Sequence, residues 1–276
     1  MQVVDSHQHF WNYNPVRDSW ITEDMQVIRR DFLPENLLPE LRANGIDACV
    51  AVQADQSEEQ NNFLLEHADT HDFIQGVVGW IDFESLHVEE RLAHYSRYKK
   101  MKGFRHVLQG EPQRDFMLRK DFKRGIGLLR QFNFTYDLLV FTDQLRYTTE
   151  FVAAFPDQPF VLDHIAKPNI KEHKIGQWEK DIKALAKHEN VLCKISGLVT
   201  EADWQNWKYA DIAPYLDVVV EAFGVKRIMY GSDWPVCLVA GSYEKVFGLV
   251  KKYFSSFTPD EQALFFHANA TKFYRL

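Results

Sequence analysis

Short apolar, β-branched runs alternate along this chain with longer amphipathic stretches. Eight of the short runs read as strands: Val3–His9, Ala48–Gln53, Gln75–Ile81, Gly103–Leu108, Thr135–Phe141, Phe160–Ile165, Val191–Ser196 and Arg227–Gly231. Helical periodicity fills the intervals at Pro34–Asn44, Glu58–Thr70, Val88–Tyr98, Lys120–Gln131, Gln144–Phe155, Ile175–His188, Tyr215–Phe223 and Tyr243–Phe254. Gly45 stops the first of these helices at the position where a left-handed residue is needed. A further helix opens at Thr258-Pro259-Asp260-Glu261, a capping box with Pro at the first helical position. Strands that alternate with helices form a parallel sheet. Eight such units in 276 residues predict one domain over residues 1–276, an α/β protein built as a (β/α)8 barrel. An open doubly wound sheet would carry a Gly-rich phosphate turn after its first strand. His-Gln-His-Phe-Trp stands there instead.

Composition narrows the partners. Hydrophobic residues make up 46% and charged residues 26%, enough for a large core under a soluble surface. The net charge of −7, without a dense Lys/Arg run, argues against nucleic acid and against anionic membranes. No apolar run reaches the length of a membrane span. Cys49, Cys193 and Cys237 are odd in number and widely spaced, which predicts free thiols in a reducing compartment. The start, Met-Gln-Val-Val-Asp, lacks the regions of a secretory signal, so a cytoplasmic protein is expected. Homo-oligomerisation is left open by the sequence. The segment from Phe10 to Phe32 carries Trp11, Tyr13 and Trp20 and predicts a lid over the barrel mouth.

Barrel enzymes collect their chemistry at the C-terminal ends of the strands. Asp5, His7 and His9 alternate along the first strand, so they are expected to share one face and enter the barrel together. Two imidazoles at that spacing can hold one metal ion or one oxyanion. Asp163-His164 ends the sixth strand, with Lys167-Pro168 beyond. Neighbouring strand residues face opposite ways, so His164 is expected to point inward and Asp163 to support it. Gly231-Ser232-Asp233-Trp234-Pro235 leaves the eighth strand sharply and puts Asp233 at the mouth, as metal ligand or general base. Arg105 and His106 end the fourth strand and suit a polyol or carboxylate. Weaker candidates are Gln53 and Asp55 on the second strand, Trp80 and Asp82 on the third, and Lys194, Ser196 and Glu201 around the seventh.

Asp-x-His-x-His on strand one, Asp-His on strand six, Cys193–Glu201 and Gly-Ser-Asp-Trp-Pro on strand eight together resemble the amidohydrolase superfamily, in its amidohydrolase-related (amidohydrolase 2) branch that contains sugar-lactone hydrolases. The resemblance runs the full length. It implies a distorted (β/α)8 barrel and maps His7, His9, His164 and Asp233 onto the catalytic set. Many members bridge two metals with a carboxylated Lys or Glu at the end of strand four and add a His after strand five. This chain has Arg105-His106 and Phe141-Thr142-Asp143 there. A binuclear centre is therefore not expected; one divalent ion, zinc first, or none is. The expected activity is opening of an aldonolactone, of the L-fucono- or L-rhamnonolactone kind, with Asp233 activating water. Arg105, His106, Trp80, Trp11 and Trp234 are the expected substrate walls. A metal-dependent decarboxylase of the same superfamily is the alternative.

Overall fold

A computed structural model describes residues 2–276. Its eight strands are β1 Val4–Gln8, β2 Ala48–Val52, β3 Ile74–Gly79, β4 Met101–His106, β5 Thr135–Leu138, β6 Phe160–Leu162, β7 Val191–Ile195 and β8 Ile228–Tyr230. Each pairs in parallel with the next, in sequence order around one sheet. The helices are α1 Pro34–Asn44, α2 Glu58–Thr70, α3 Val88–Tyr95, α4 Lys120–Ile126, α5 Leu145–Ala153, α6 Gly176–Leu185, α7 Tyr209–Phe223, α8 Tyr243–Phe254, α9 Pro259–Ala263 and α10 Asn269–Tyr274. The expected (β/α)8 barrel is the observed one.

The ring is completed at its C-terminal rim. There the chain leaving β8 bonds to β1: His9 N–H donates to Trp234 O at 2.7 Å and Asp233 N–H to His7 O at 2.8 Å. The two closing bonds thus run through four of the candidate site residues, His7, His9, Asp233 and Trp234.

Several element ends differ from expectation. β6 stops at Leu162 rather than Ile165 because the next residues turn left-handed. β5 stops at Leu138, and Leu139 and Val140 continue buried outside the sheet, Leu139 O accepting from Gln109 N–H at 3.0 Å. α7 begins at Tyr209 and takes Pro214 inside it. The Asp211 carboxylate accepts from Lys208 N–H at 2.8 Å and starts the helix ahead of the proline.

The interior is divided along its axis. At the N-terminal end Val4, Ala48, Val50, Val52, Val78, Val161 and Met229 pack with Ala270, Phe273 and Tyr274 of α10. The C-terminal helix therefore plugs that end with apolar side chains. Tyr274 reaches further, donating its hydroxyl to Asp137 Oδ2 at 2.8 Å. The opposite end is left to polar groups.

Deleting only that hydroxyl, Tyr274→Phe, keeps the plug and removes a donor from a buried carboxylate. A hydrogen bond to a charged group contributes about 1.5–3 kcal/mol. The urea midpoint is expected to fall accordingly with an unchanged slope. An unaltered midpoint would show that Asp137 does not depend on the C-terminal helix.

Candidate functional site

β1 does not present its residues by simple alternation. Asp5 pairs with Cys49 and Gln8 with Ala51, so three steps on β1 match two on β2. The extra residue is a β-bulge, and it reverses the facing of everything after it. Asp5 consequently turns to the helix layer, where its carboxylate accepts from Tyr243 Oη of α8 at 2.7 Å and from Ser232 N–H at 2.9 Å. His7 and His9 point into the barrel. The expectation that Asp5 would enter with them is corrected by the bulge. Gly231 makes room for His7: a Cβ there would lie 2.7 Å from the His7 Cβ.

The β6 end departs from the strand pattern more strongly. His164, Ile165, Ala166 and Lys167 all have φ between 48° and 59°. Left-handed L-residues cost roughly 1–2 kcal/mol each. The turn persists because its surroundings hold it. Trp178 Nε1–H donates to Ile165 O at 2.8 Å, Lys167 N–H donates to His164 O at 2.8 Å, and Ile165 and Ala166 are fully buried. The inward-outward choice between Asp163 and His164 does not arise, because only Asp163 follows on from the strand. Both side chains enter the barrel, Asp163 below and His164 at the mouth. Gly197 admits the His164 ring; a Cβ there would stand 2.6 Å from Nδ1.

Four donor atoms converge at the mouth. His7 Nε2 and His9 Nε2 are 3.2 Å apart. Asp233 Oδ1 stands 3.4 Å from His9 Nε2, 3.8 Å from His164 Nε2 and 3.9 Å from His7 Nε2. His9 Nδ1 faces Val52 O at 2.8 Å, so Nδ1 carries the proton and Nε2 offers a lone pair. That lone pair repels the carboxylate before it unless a cation or proton lies between. Zn–N bonds of about 2.0–2.1 Å put two tetrahedral imidazole nitrogens about 3.3 Å apart. The donor set fits a divalent ion on both counts. His7, His164 and Asp233 are the His/Asp group that lies close enough to share one.

Burial pushes the His164 imidazole down to about 4, against the pull of Asp233 and Asp163. Burial also lowers His7, and Lys194 adds to that effect. For Asp233 burial acts upward, but His164, His9 and His7 together outweigh it and hold the carboxyl below its usual range.

Beneath His7 lies a closed ionic network. Lys194 Nζ stands 2.6 Å from Asp137 Oδ2, 3.1 Å from Asp163 Oδ1 and 3.1 Å from His7 Nδ1. Arg105 Nη1 donates to Asp163 Oδ2 at 3.0 Å. All four charged residues are buried. Burial raises Asp137 to about 6 against the pull of Lys194. For Asp163 burial is outweighed by Lys194, His7 and Arg105, which hold it well below the carboxylate range. Asp137 was missed in the sequence, although an aspartate inside Thr135-Tyr136-Asp137-Leu138 is a signal: a buried charge requires a partner.

Above the network is a cavity of about 380 Å³, lined by His9, Trp11, Trp20, Arg17, Asp55, Gln56, Arg105, Leu139, His164, Lys167 and Asp233 among others. Of the expected walls, Trp11 and Arg105 line it and three do not. His106 faces away from Arg105, stacked on Phe116, bonded to Glu111 Oε1 at 2.7 Å and accepting from Trp80 Nε1–H at 3.1 Å. Trp80 is held by that bond. Trp234 is buried edge-on against Phe10 and Phe32. The 10–32 segment does cover the mouth, supplying Trp11, Arg17 and Trp20. It is anchored by Trp11 Nε1–H to Arg30 O at 2.9 Å and by the Trp11–Phe32 bridge.

Comparison with known proteins follows the same outline. Residues 4–276 match the profile of the family described as Amidohydrolase. The chain belongs to the amidohydrolase family. As an amidohydrolase it is 41% identical, over 92% of its length and 88% of the other, to an L-fucono-1,5-lactonase of Burkholderia multivorans. It is 33% identical, over 99% of its length and 95% of the other, to an L-fucono-1,5-lactonase of Burkholderia ambifaria. A crystal structure of an amidohydrolase from Burkholderia multivorans with bound zinc superposes with a TM-score of 0.97 at 39% identity, covering both chains fully. Likeness to a 2,6-dihydroxybenzoate decarboxylase, at a TM-score of 0.69 and 13% identity, is one of fold alone.

Gly197→Ala is expected to displace the His164 ring without disturbing the barrel. Losing support of a ligand typically costs 10- to 100-fold in metal affinity. Chelator competition should therefore show zinc binding weakened by at least about tenfold, with far-ultraviolet circular dichroism unchanged. Equal affinity would mean that His164 is not a ligand.

Proposed function

We propose that this amidohydrolase hydrolyses a sugar-acid lactone, an aldonolactone of the L-fucono-1,5-lactone kind. The observation that carries the reading is Asp233: a buried carboxylate on the wall of the cavity, ringed by three imidazole Nε2 atoms. The 41% identity to an L-fucono-1,5-lactonase supports the substrate class.

Asp233, ionised at neutral pH, takes a proton from water. The water oxygen bonds to the lactone carbonyl carbon, and the negative charge that builds on the carbonyl oxygen needs a cation or a protonated imidazole among His7, His9 and His164 to meet it. The C–O bond to the ring oxygen then breaks, and that oxygen takes back the proton held on Asp233. The product is the open hydroxy acid. A divalent ion held by His7, His9, His164 and Asp233 supplies positive charge for the oxyanion and acidifies water when bound. A lactone is an activated ester with a modest barrier, so one general base and one source of positive charge suffice. Asp233→Asn keeps the shape and loses the base. General-base catalysis contributes typically 10²–10⁴-fold, so kcat on the best aldonolactone of a panel should fall by at least about a hundredfold. Retention of comparable kcat would remove Asp233 from the role.

Charge bookkeeping points to one ion per chain. Asp137 and Asp163 are already matched by Lys194 and Arg105. Asp233 is the one carboxylate among the four converging donors. Apoprotein dialysed against zinc is expected to bind one equivalent, measured by elemental analysis; two equivalents would refute the closed network.

A further inference from the structure

Lys167 is a charged cavity-lining residue that the mechanism leaves unused. It ends the left-handed turn, three residues after His164, and such a turn repeats about every three residues. His164 and Lys167 therefore project to one side, and both line the cavity. Positioning His164 alone does not require the left-handed path to continue through Lys167; continuing it is what brings the ammonium to the same wall.

Once there, Lys167 lacks a hydrogen-bond partner. Its side chain is only 19% exposed, yet no acceptor among the described residues takes a hydrogen from Nζ. Glu201 Oε1, on the turn after β7, stands 3.9 Å away and lines the groove that adjoins the cavity, with Lys167 on the border of the two. Glu201 is itself largely buried, and burial raises its pKa despite Lys167. A separation of 3.9 Å is too long for a direct hydrogen bond. It is a span that one oxygen bridges, at about 2.8 Å from each partner. A hydroxyl suits such a gap, since it accepts from the ammonium and donates to the carboxylate at once.

We propose that Lys167 and Glu201 read one hydroxyl of the sugar lactone, and so select polyhydroxylated rings over those lacking that group. The proposal rests on the lactonase reading of the site. Neither residue takes part in the bond-making steps, so both act through binding and orientation of the ring.

The test compares wild type, Lys167→Met, Glu201→Gln and the double variant on an aldonolactone and its monodeoxy analogues. Each single variant should lose at least about tenfold in kcat/KM on the full substrate, mainly through KM. The double variant should lose little more than either single one, since both serve one hydroxyl. Among the analogues, one should cost wild type the same factor and cost Lys167→Met nothing further. Thermal midpoints taken alongside separate misfolding from this effect, and Lys167→Arg should recover part of the loss. Single variants within twofold of wild type would overturn the proposal and make the gap a water bridge. Equal losses on every analogue would overturn it in favour of a merely structural pair. Wild type that opens no aldonolactone would instead overturn the lactonase reading, and this proposal with it.

Discussion

The position of Lys194 is the constraint on which the site depends. Its ammonium sits inside the barrel, fully buried, between Asp137 of β5 and Asp163 at the end of β6, against Nδ1 of His7 on β1. An ionised group in that setting is tolerable only when its charge is matched and its donors are used. Three strands must therefore present their polar groups at one height. Arg105 from β4 completes the set through Asp163. The network fixes the floor on which His7 stands, and with it the direction in which Nε2 meets His9 and Arg105.

The two ends of the barrel follow from this division. Below the network, valines and the α10 plug exclude water; above it, a polar cavity opens under the 10–32 segment. Tyr274 joins the halves, since its ring packs in the plug, lies under the Lys194 ammonium at 5.4 Å, and its hydroxyl meets Asp137. The low dielectric of the plug strengthens the ionic contacts above it and makes any unpaired member costly. Stability and the candidate site are tied together here: a change that loosens the plug also loosens the floor under His7.

Much of the architecture was legible because barrels repeat. Eight apolar runs spaced by amphipathic stretches leave few topologies, and β2, α1, α2 and α8 fall where their periodicity put them. His7, His9, His164 and Asp233 were legible because polar residues at apolar strand ends need a reason. What escaped was whatever depends on a single backbone irregularity. One inserted residue in β1 sends Asp5 to Tyr243 instead of the cavity, and local composition does not announce a bulge. The left-handed run at 164–167 contains no glycine, so nothing in Asp-His-Ile-Ala-Lys-Pro advertises it. Its cause lies in distant residues: Trp178 on α6, and Gly197 after β7. His106 was legible by alternation, which turns it away from Arg105: its ring belongs to the aromatic layer around Phe116 while its neighbour turns inward, so the two could not both be walls.

These irregularities share a location, and the location explains them. A regular strand delivers side chains at a fixed pitch to a fixed face, which suffices for a valine core. A cluster of four donor atoms around one point needs side chains from β1, β6 and β8 at distances that regular strands do not supply. The bulge in β1 turns the two histidines inward, the left-handed turn after β6 carries His164 over Asp163, and Asp233 itself adopts a positive φ of 58°. That same residue donates its N–H to His7 O, and His9 donates to Trp234 O. The hydrogen bonds that complete the ring are therefore the ones that hold Asp233 opposite the histidines. Closure of the barrel and assembly of the site rest on the same bonds, so opening the β1–β8 seam also parts Asp233 from the histidines.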